Sequence, residues 1–162
     1  MKNLITFLIT FAIAGSLAAQ NSDSSKFYFQ KGLEEKNAKR YLVASNYFIK
    51  AIELNPGFVD AYLENGNANK EMHKTDAAKA DFTKALELEP QNETAVRELT
   101  TIYFNYRQYQ NALDLAQKCK TCTDKDKIIA LCYFKMEDYG KAEKLLLAQV
   151  NKNPKDAEQP TL

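Results

Sequence analysis

The sequence points to an all-α architecture of stacked helical hairpins, and three observations carry that reading. Lys50 to Pro56 (KAIELNP) returns as Lys84 to Pro90 (KALELEP) at an offset of 34 residues, with five of seven positions identical. From Ser24 onward the apolar residues recur at helical spacing, and no alternating run long enough for a strand interrupts them. Pro56, Pro90 and Pro154 each close a helical stretch that a proline cannot continue. A fixed period in this range marks a stack of like supersecondary units, which offers partners a long surface and no ready-made catalytic cavity.

The N-terminus is set apart from this pattern. Lys2 precedes an apolar run of 11 residues, Leu4 to Ala14, followed by small residues at Gly15, Ser16, Ala18 and Ala19. This is the layout of a secretory signal peptide, with cleavage after Ala18 or Ala19. The 16 residues Leu4 to Ala19 fall short of the roughly 20 that a bilayer-spanning helix needs. Removing residues 1–19 takes away Lys2 and no acid, leaving 21 basic residues against 21 acidic ones. A chain so balanced carries no electrostatic signature of nucleic acid or of an anionic membrane as partner. The expected location is outside the cytoplasm, periplasmic or secreted, with a bacterial source.

A polar linker, residues 20–23, leads into the first helix, with Ser24 or Ser25 as its N-cap. Thr75, Asn92 and Asp138 open later helices, and breaks near Ala38, Lys74, Gln108 and Met136 divide each unit into two helices of about three turns. Gly32 and Ala44 lie 12 apart, as do Gly66 and Ala78, so small residues meet across each hairpin. Ala44, Phe48 and Ala51 share one helical face, and Ala78, Phe82 and Ala85 repeat it. Alternating small, large and small makes a groove for the neighbouring helix.

Tyr28, Gly32, Ala44, Phe48, Ala51 and Pro56, with their counterparts Tyr62, Gly66, Ala78, Phe82, Ala85 and Pro90, resemble the tetratricopeptide repeat in type and phase. The third unit keeps Leu99, Tyr103 and Ala112, but Thr100 stands for the glycine and Ala116 for the aromatic. The fourth keeps Tyr133, Ala142 and Pro154, with Leu146 in the aromatic place. Pro90 to Pro154 is four residues short of two periods, and the deletion is placed at the Cys119 to Asp124 turn. The resemblance implies a right-handed α-solenoid of about four antiparallel helix pairs spanning residues 24–154. Its units are about 25–58, 59–92, 93–122 and 123–154, and a flexible tail, residues 155–162, follows.

The resemblance also implies that the first helices line a concave groove that holds a peptide or partner protein. The side chains expected there are Phe29, Leu33, Leu63, Asn67, Lys70, Arg97, Phe104, Asn105 and Phe134. Apolar anchors of this kind supply binding energy, and asparagine amides can bind a peptide backbone. Each apolar member has a competing use, which is packing between neighbouring first helices. Co-chaperone members of the family grip a terminal carboxylate with Lys, Asn and Arg; Phe29, Leu33 and Glu64 break that pattern here.

Chemistry is sparse. Cys119-Lys120-Thr121-Cys122 is a C-x-x-C pair without the βαβ context of a redox couple. Cys119 stands at the small-residue place of Ala51 and Ala85. A bridge from Cys119 to Cys122 or to Cys132, free thiols, and a thiol-active site all stay open. Three cysteines and the single His73 form no four-ligand zinc pattern, so no metal, no cofactor and no catalytic residue is expected. Only eight residues follow Pro154, so Leu145, Leu146, Leu147 and Val150 are expected to stay partly exposed, with self-association through Leu145, Leu146 and Val150 as one consequence. The expected function is a non-catalytic adaptor. The alternatives are a thiol-active envelope protein and a self-assembling structural subunit.

Overall fold

A computed structural model describes residues 22–152, and among these every regular element is an α-helix. The helices are α1 (22–37), α2 (Tyr41–Leu54), α3 (Val59–Glu71), α4 (Thr75–Leu88), α5 (Glu93–Asn105), α6 (Tyr109–Lys118), α7 (Lys125–Lys135) and α8 (Tyr139–Lys152). They fall into two compact units, one closing at Leu88 and one opening at Glu89. The expected signal peptide, residues 20–21 of the expected linker, Pro154 and the expected tail lie outside the described residues. Two expectations at the start of α1 are corrected. Ser22 and Asp23 are helical rather than linker, and Ser25 is not a cap: it is buried, and its Oγ donates to the Ser22 carbonyl oxygen at 2.8 Å.

Every hairpin turns in the same way. Lys39, His73, Arg107 and Glu137 have φ of 58°, 58°, 57° and 64°, the left-handed region. After each of them a backbone N–H reaches back to the preceding helix: Arg40 to the Glu35 carbonyl, Lys74 to Asn69, Gln108 to Tyr103 and Asp138 to Tyr133, at 2.8 to 2.9 Å. This is the Schellman closure of a helix C-terminus, which ordinarily recruits glycine. An L-residue in that conformation costs about 1 kcal/mol, so the packed hairpin must hold the turn in place. The turn residues are spaced 34, 34 and 30 apart, and α6 has 10 residues where α2 and α4 have 14. Asn92 caps α5 by accepting from the Ala95 N–H at 3.0 Å, and Asp138 accepts from the Lys141 N–H at the start of α8.

In the first unit each hairpin closes over a glycine. A Cβ built on Gly66 would lie 2.7 to 3.0 Å from three ring atoms of Phe82, and one on Gly32 would overlap the Phe48 ring. Both rings are fully buried, flanked by Ala44 and Ala51 or by Ala78 and Ala85, all at 0% exposure. A polar chain joins three helices beside them. Ser45 Oγ donates to Asn65 Oδ1 (2.7 Å), and Asn65 Nδ2 and Asn69 Nδ2 both donate to Asp81 Oδ2 (2.9 and 2.8 Å). Burial pushes the Asp81 carboxyl above its ordinary value, opposed by the hydrogen bonds from Asn69 and Asn65.

The second unit is packed differently. Thr100 takes the glycine place and Ala116 the aromatic place, so bulk moves from the second helix to the first. The exchange is imperfect, because the buried Thr100 Oγ1 has no hydrogen-bond partner. The core here is Ala112, Leu113, Ala116, Ile129 and Cys132, with Tyr103, Phe104, Ile128, Tyr133 and Leu145 packed against it.

Gly66→Ala should lower stability by about 1 to 2 kcal/mol, because overpacking a buried ring outweighs the gain in helix propensity. Gly140→Ala, whose Cβ would meet nothing within 4 Å, should be neutral or gain about 0.5 kcal/mol, both read by urea unfolding. Since the folded Asp81 binds its proton more tightly than the unfolded chain does, its contribution to stability falls as pH rises from the unfolded carboxylate value through the raised folded one. Asp81→Asn should therefore gain stability relative to wild type as pH rises from about 4 to 7; a constant difference across that range would remove the assignment.

Candidate functional site

The first-helix surface of the first unit is built by α1 and α3. Phe29 is held between Phe48 and Phe58, with ring centroids 5.7 and 4.8 Å away. Leu33 packs with it on the cluster of Ala44, Phe48 and Ala68, and Leu63 is 8% exposed. Phe29 and Leu33 thus pack on this core while each keeps part of its surface accessible, and Leu63 is buried. The polar members are half-buried, as Phe29 and Leu33 are. Asn67 and Lys70, with Lys36, Tyr41 and Glu71, line a hollow of about 270 Å³. Lys36 Nζ donates to the Glu64 carboxylate, which ties α1 to α3 next to this hollow. Glu64 therefore has a local partner, where the co-chaperone clamp would place an asparagine.

In the second unit, Arg97 and Asn105 are exposed on α5, and the Arg97 Nε lies 3.9 Å from Glu98 Oε1. Phe104 is half-buried, packing on the core of that unit and edge-on to Tyr109 at 5.2 Å. Phe134 is exposed and makes the same edge contact with Tyr139 at 5.6 Å. Sequence position thus places Lys36, Lys70, Phe104 and Phe134 at one point of successive repeats, which gives the first unit cationic ends and the second aromatic ones.

Cys119 and Cys122 are joined by a disulfide and are 1% and 8% exposed. The turn that carries them is stitched to the start of α5. The Lys120 N–H donates to Gln91 Oε1 at 2.8 Å, Gln91 Nε2 donates to the Lys118 carbonyl, and Thr123 Oγ1 donates to Glu93 Oε1 at 3.1 Å. Cys132 is free and fully buried, and burial pushes its thiol above the ordinary value, away from the reactive thiolate. His73 is an exposed turn residue.

Sequence reasoning missed three features: the Lys36–Glu64 tie, the Asn65–Asp81–Asn69 chain and the shape of the last hairpin. The chain left a faint mark, since Asn65 and Asn69 are polar residues four apart on a face that is otherwise small and apolar. In the last hairpin, Phe134, Tyr139, Ala142, Leu146, Leu147 and Val150 enclose an apolar cleft of about 390 Å³, with Glu143 at the same site. Leu145, expected to stay partly exposed, is half-buried and packs against the core of the second unit.

Comparison with known proteins gives a consistent result. The tetratricopeptide-repeat family profile matches residues 25–58 and 59–92. A 62-residue stretch is 44% identical to the UDP-N-acetylglucosamine–peptide N-acetylglucosaminyltransferase of Giardia intestinalis, covering 38% of this chain and 4% of that protein. A 70-residue stretch is 33% identical to the uncharacterized protein MJ0572 of Methanocaldococcus jannaschii, covering 43% of this chain and 81% of that one. The chain spans no more than 14% of the length of the transferase and of two further long relatives, a peroxisomal targeting signal receptor and a human O-mannosyl-transferase. Among solved structures, MamA from Desulfovibrio magneticus RS-1 superposes with a TM-score of 0.70 at 18% identity, over 82% of this chain and 77% of that one. YrrB, described as a TPR protein with an unusual peptide-binding site, gives 0.67 at 21% identity, over 78% and 68%. By its glycine-closed hairpins, its 34-residue turn spacing and these matches, the chain belongs to the tetratricopeptide-repeat family.

Proposed function

We propose that the chain is a non-catalytic interaction scaffold that docks an extended peptide or a partner helix on the first-helix faces of its repeats, and that it works after export from a bacterial cell. The observation that carries the reading is the hollow lined by Lys36, Tyr41, Asn67, Lys70 and Glu71. It combines an amide that can both donate to and accept from a peptide backbone with ammonium, phenol and carboxylate groups in one concavity. Phe29 and Leu33 pack on the core of the first unit and keep only part of their surface accessible, so the polar groups of the hollow are assigned the larger share of recognition there. Repeat proteins of this family generally act as scaffolds, which supports the non-catalytic reading.

Export is supported by the Lys2, Leu4 to Ala14 and Ala18-Ala19 sequence, and by the Cys119–Cys122 bridge, which persists most readily in an oxidising compartment. The thiol-active alternative meets a buried bridge that a thiolate cannot readily reach.

Random peptides displayed on phage and selected on the immobilised wild type should lose about tenfold or more in affinity for an Asn67→Ala/Lys70→Glu variant. Equal affinities for both proteins would move the site away from this hollow. Mass spectrometry of the chain expressed in a bacterium should find a mature N-terminus at Ala19 or Gln20. A protein that keeps residues 1–19 would remove the export reading.

A further inference from the structure

The last hairpin carries an apolar cleft whose lining shares no residue with the proposed peptide site. Phe134, Tyr139, Leu146, Leu147 and Val150 are 51, 57, 46, 55 and 48% exposed there. An internal counterpart shows what such a cleft receives. Counting back by the 30-residue spacing of the last two turn residues, Phe134, Tyr139, Ala142 and Leu146 correspond to Phe104, Tyr109, Ala112 and Ala116. The ring pair is reproduced in geometry as well as in type, edge-on at 5.2 Å in one hairpin and 5.6 Å in the next. In the earlier hairpin this surface is covered: Ile129 and Cys132 of α7 join Ala112, Leu113 and Ala116 in one buried cluster, and Phe104, Ile128 and Tyr133 pack against it. The later cleft continues that established interface by one repeat.

Size and charge narrow the occupant. Five large side chains about half exposed amount to apolar area on the order of 450 Å², as much as a typical monomer shows in its largest patch. A stable pair of globular proteins needs about 800 Å² on each side, so the face of a second copy is a poor match and a single helix a good one. Leu113, buried under α7, corresponds to Glu143, which is exposed in the cleft. An occupant that follows the pattern of α7 would therefore carry a basic residue opposite this carboxylate.

We propose that the cleft of Phe134, Tyr139, Ala142, Leu146, Leu147 and Val150 receives an amphipathic α-helix of about three turns from a partner protein, in the place that α7 takes on the preceding hairpin. Its buried face carries apolar residues at i, i+1, i+4 and i+5, the spacing of Ile128, Ile129, Cys132 and Tyr133, and a Lys or Arg reaches Glu143.

The test uses the full chain and a fluorescein-labelled synthetic peptide with the sequence of α7. The peptide carries Cys132→Ala and is stapled through positions 127 and 131, both exposed in α7. Fluorescence anisotropy should show saturable binding. Affinity should fall about tenfold or more with Leu146→Glu and with Leu147→Glu, and a peptide bearing Ile129→Asp should not bind. Both protein variants alter exposed side chains, and an unchanged circular-dichroism melt confirms their fold. Three results would each overturn the proposal. One is no saturable binding up to about 1 mM peptide. Another is binding that neither variant weakens. The third is light scattering that shows a wild-type dimer which Leu147→Glu dissolves, since the face would then join two copies.

Discussion

The first unit depends on two places where a helix has no side chain at all. At Gly32 and Gly66 the backbone lies against the rings of Phe48 and Phe82, closer than any Cβ would permit. Because the ring rests on backbone, the two helices of each hairpin approach closely, and the flanking alanines are sealed to zero exposure. That approach brings Asn69 and Asn65 within reach of Asp81. It also supplies the contacts that hold non-glycine residues in the left-handed turns. Turn, ring and polar chain form one arrangement, and the glycine is its narrowest tolerance.

The second unit reaches a similar hairpin by other means. Thr100 and Ala116 move bulk across the pair, leaving a buried hydroxyl unpaired. Four residues missing from α6 would otherwise leave the turn into α7 weakly held. The disulfide closes that turn locally, and Gln91 and Glu93 bind it to the start of α5 through side-chain and backbone groups. A bridge across so short a loop gains little from chain entropy, so its main effect is to fix the position of this turn.

This difference in construction gives the two units different surfaces. The ends of α1 and α3 carry Lys36 and Lys70 beside Asn67, whereas those of α5 and α7 carry Phe104 and Phe134, each set edge-on by a tyrosine. A polar hollow and an apolar cleft suit different ligands, the first an extended backbone and the second an amphipathic helix. The two proposed sites therefore call for ligands of unlike chemistry.

Period and residue type alone determined the hairpins, their 34-residue phase, the glycine–aromatic pairs and the shortening near Cys119, since each is a local or repeating property of the chain. The exposure of Leu146, Leu147 and Val150 on α8 was expected from the sequence and is found in the structure. The sequence could not say which face of a first helix is open. Helical spacing groups Phe29, Leu33 and Leu63 on one side, but a first helix touches both its own partner and its neighbours, and only the packed structure shows Phe29 and Leu33 resting partly buried on the core and Leu63 enclosed. The left-handed turns were equally hidden, because Lys39, His73, Arg107 and Glu137 carry no local preference for that conformation and are held there by contacts made after the chain has packed.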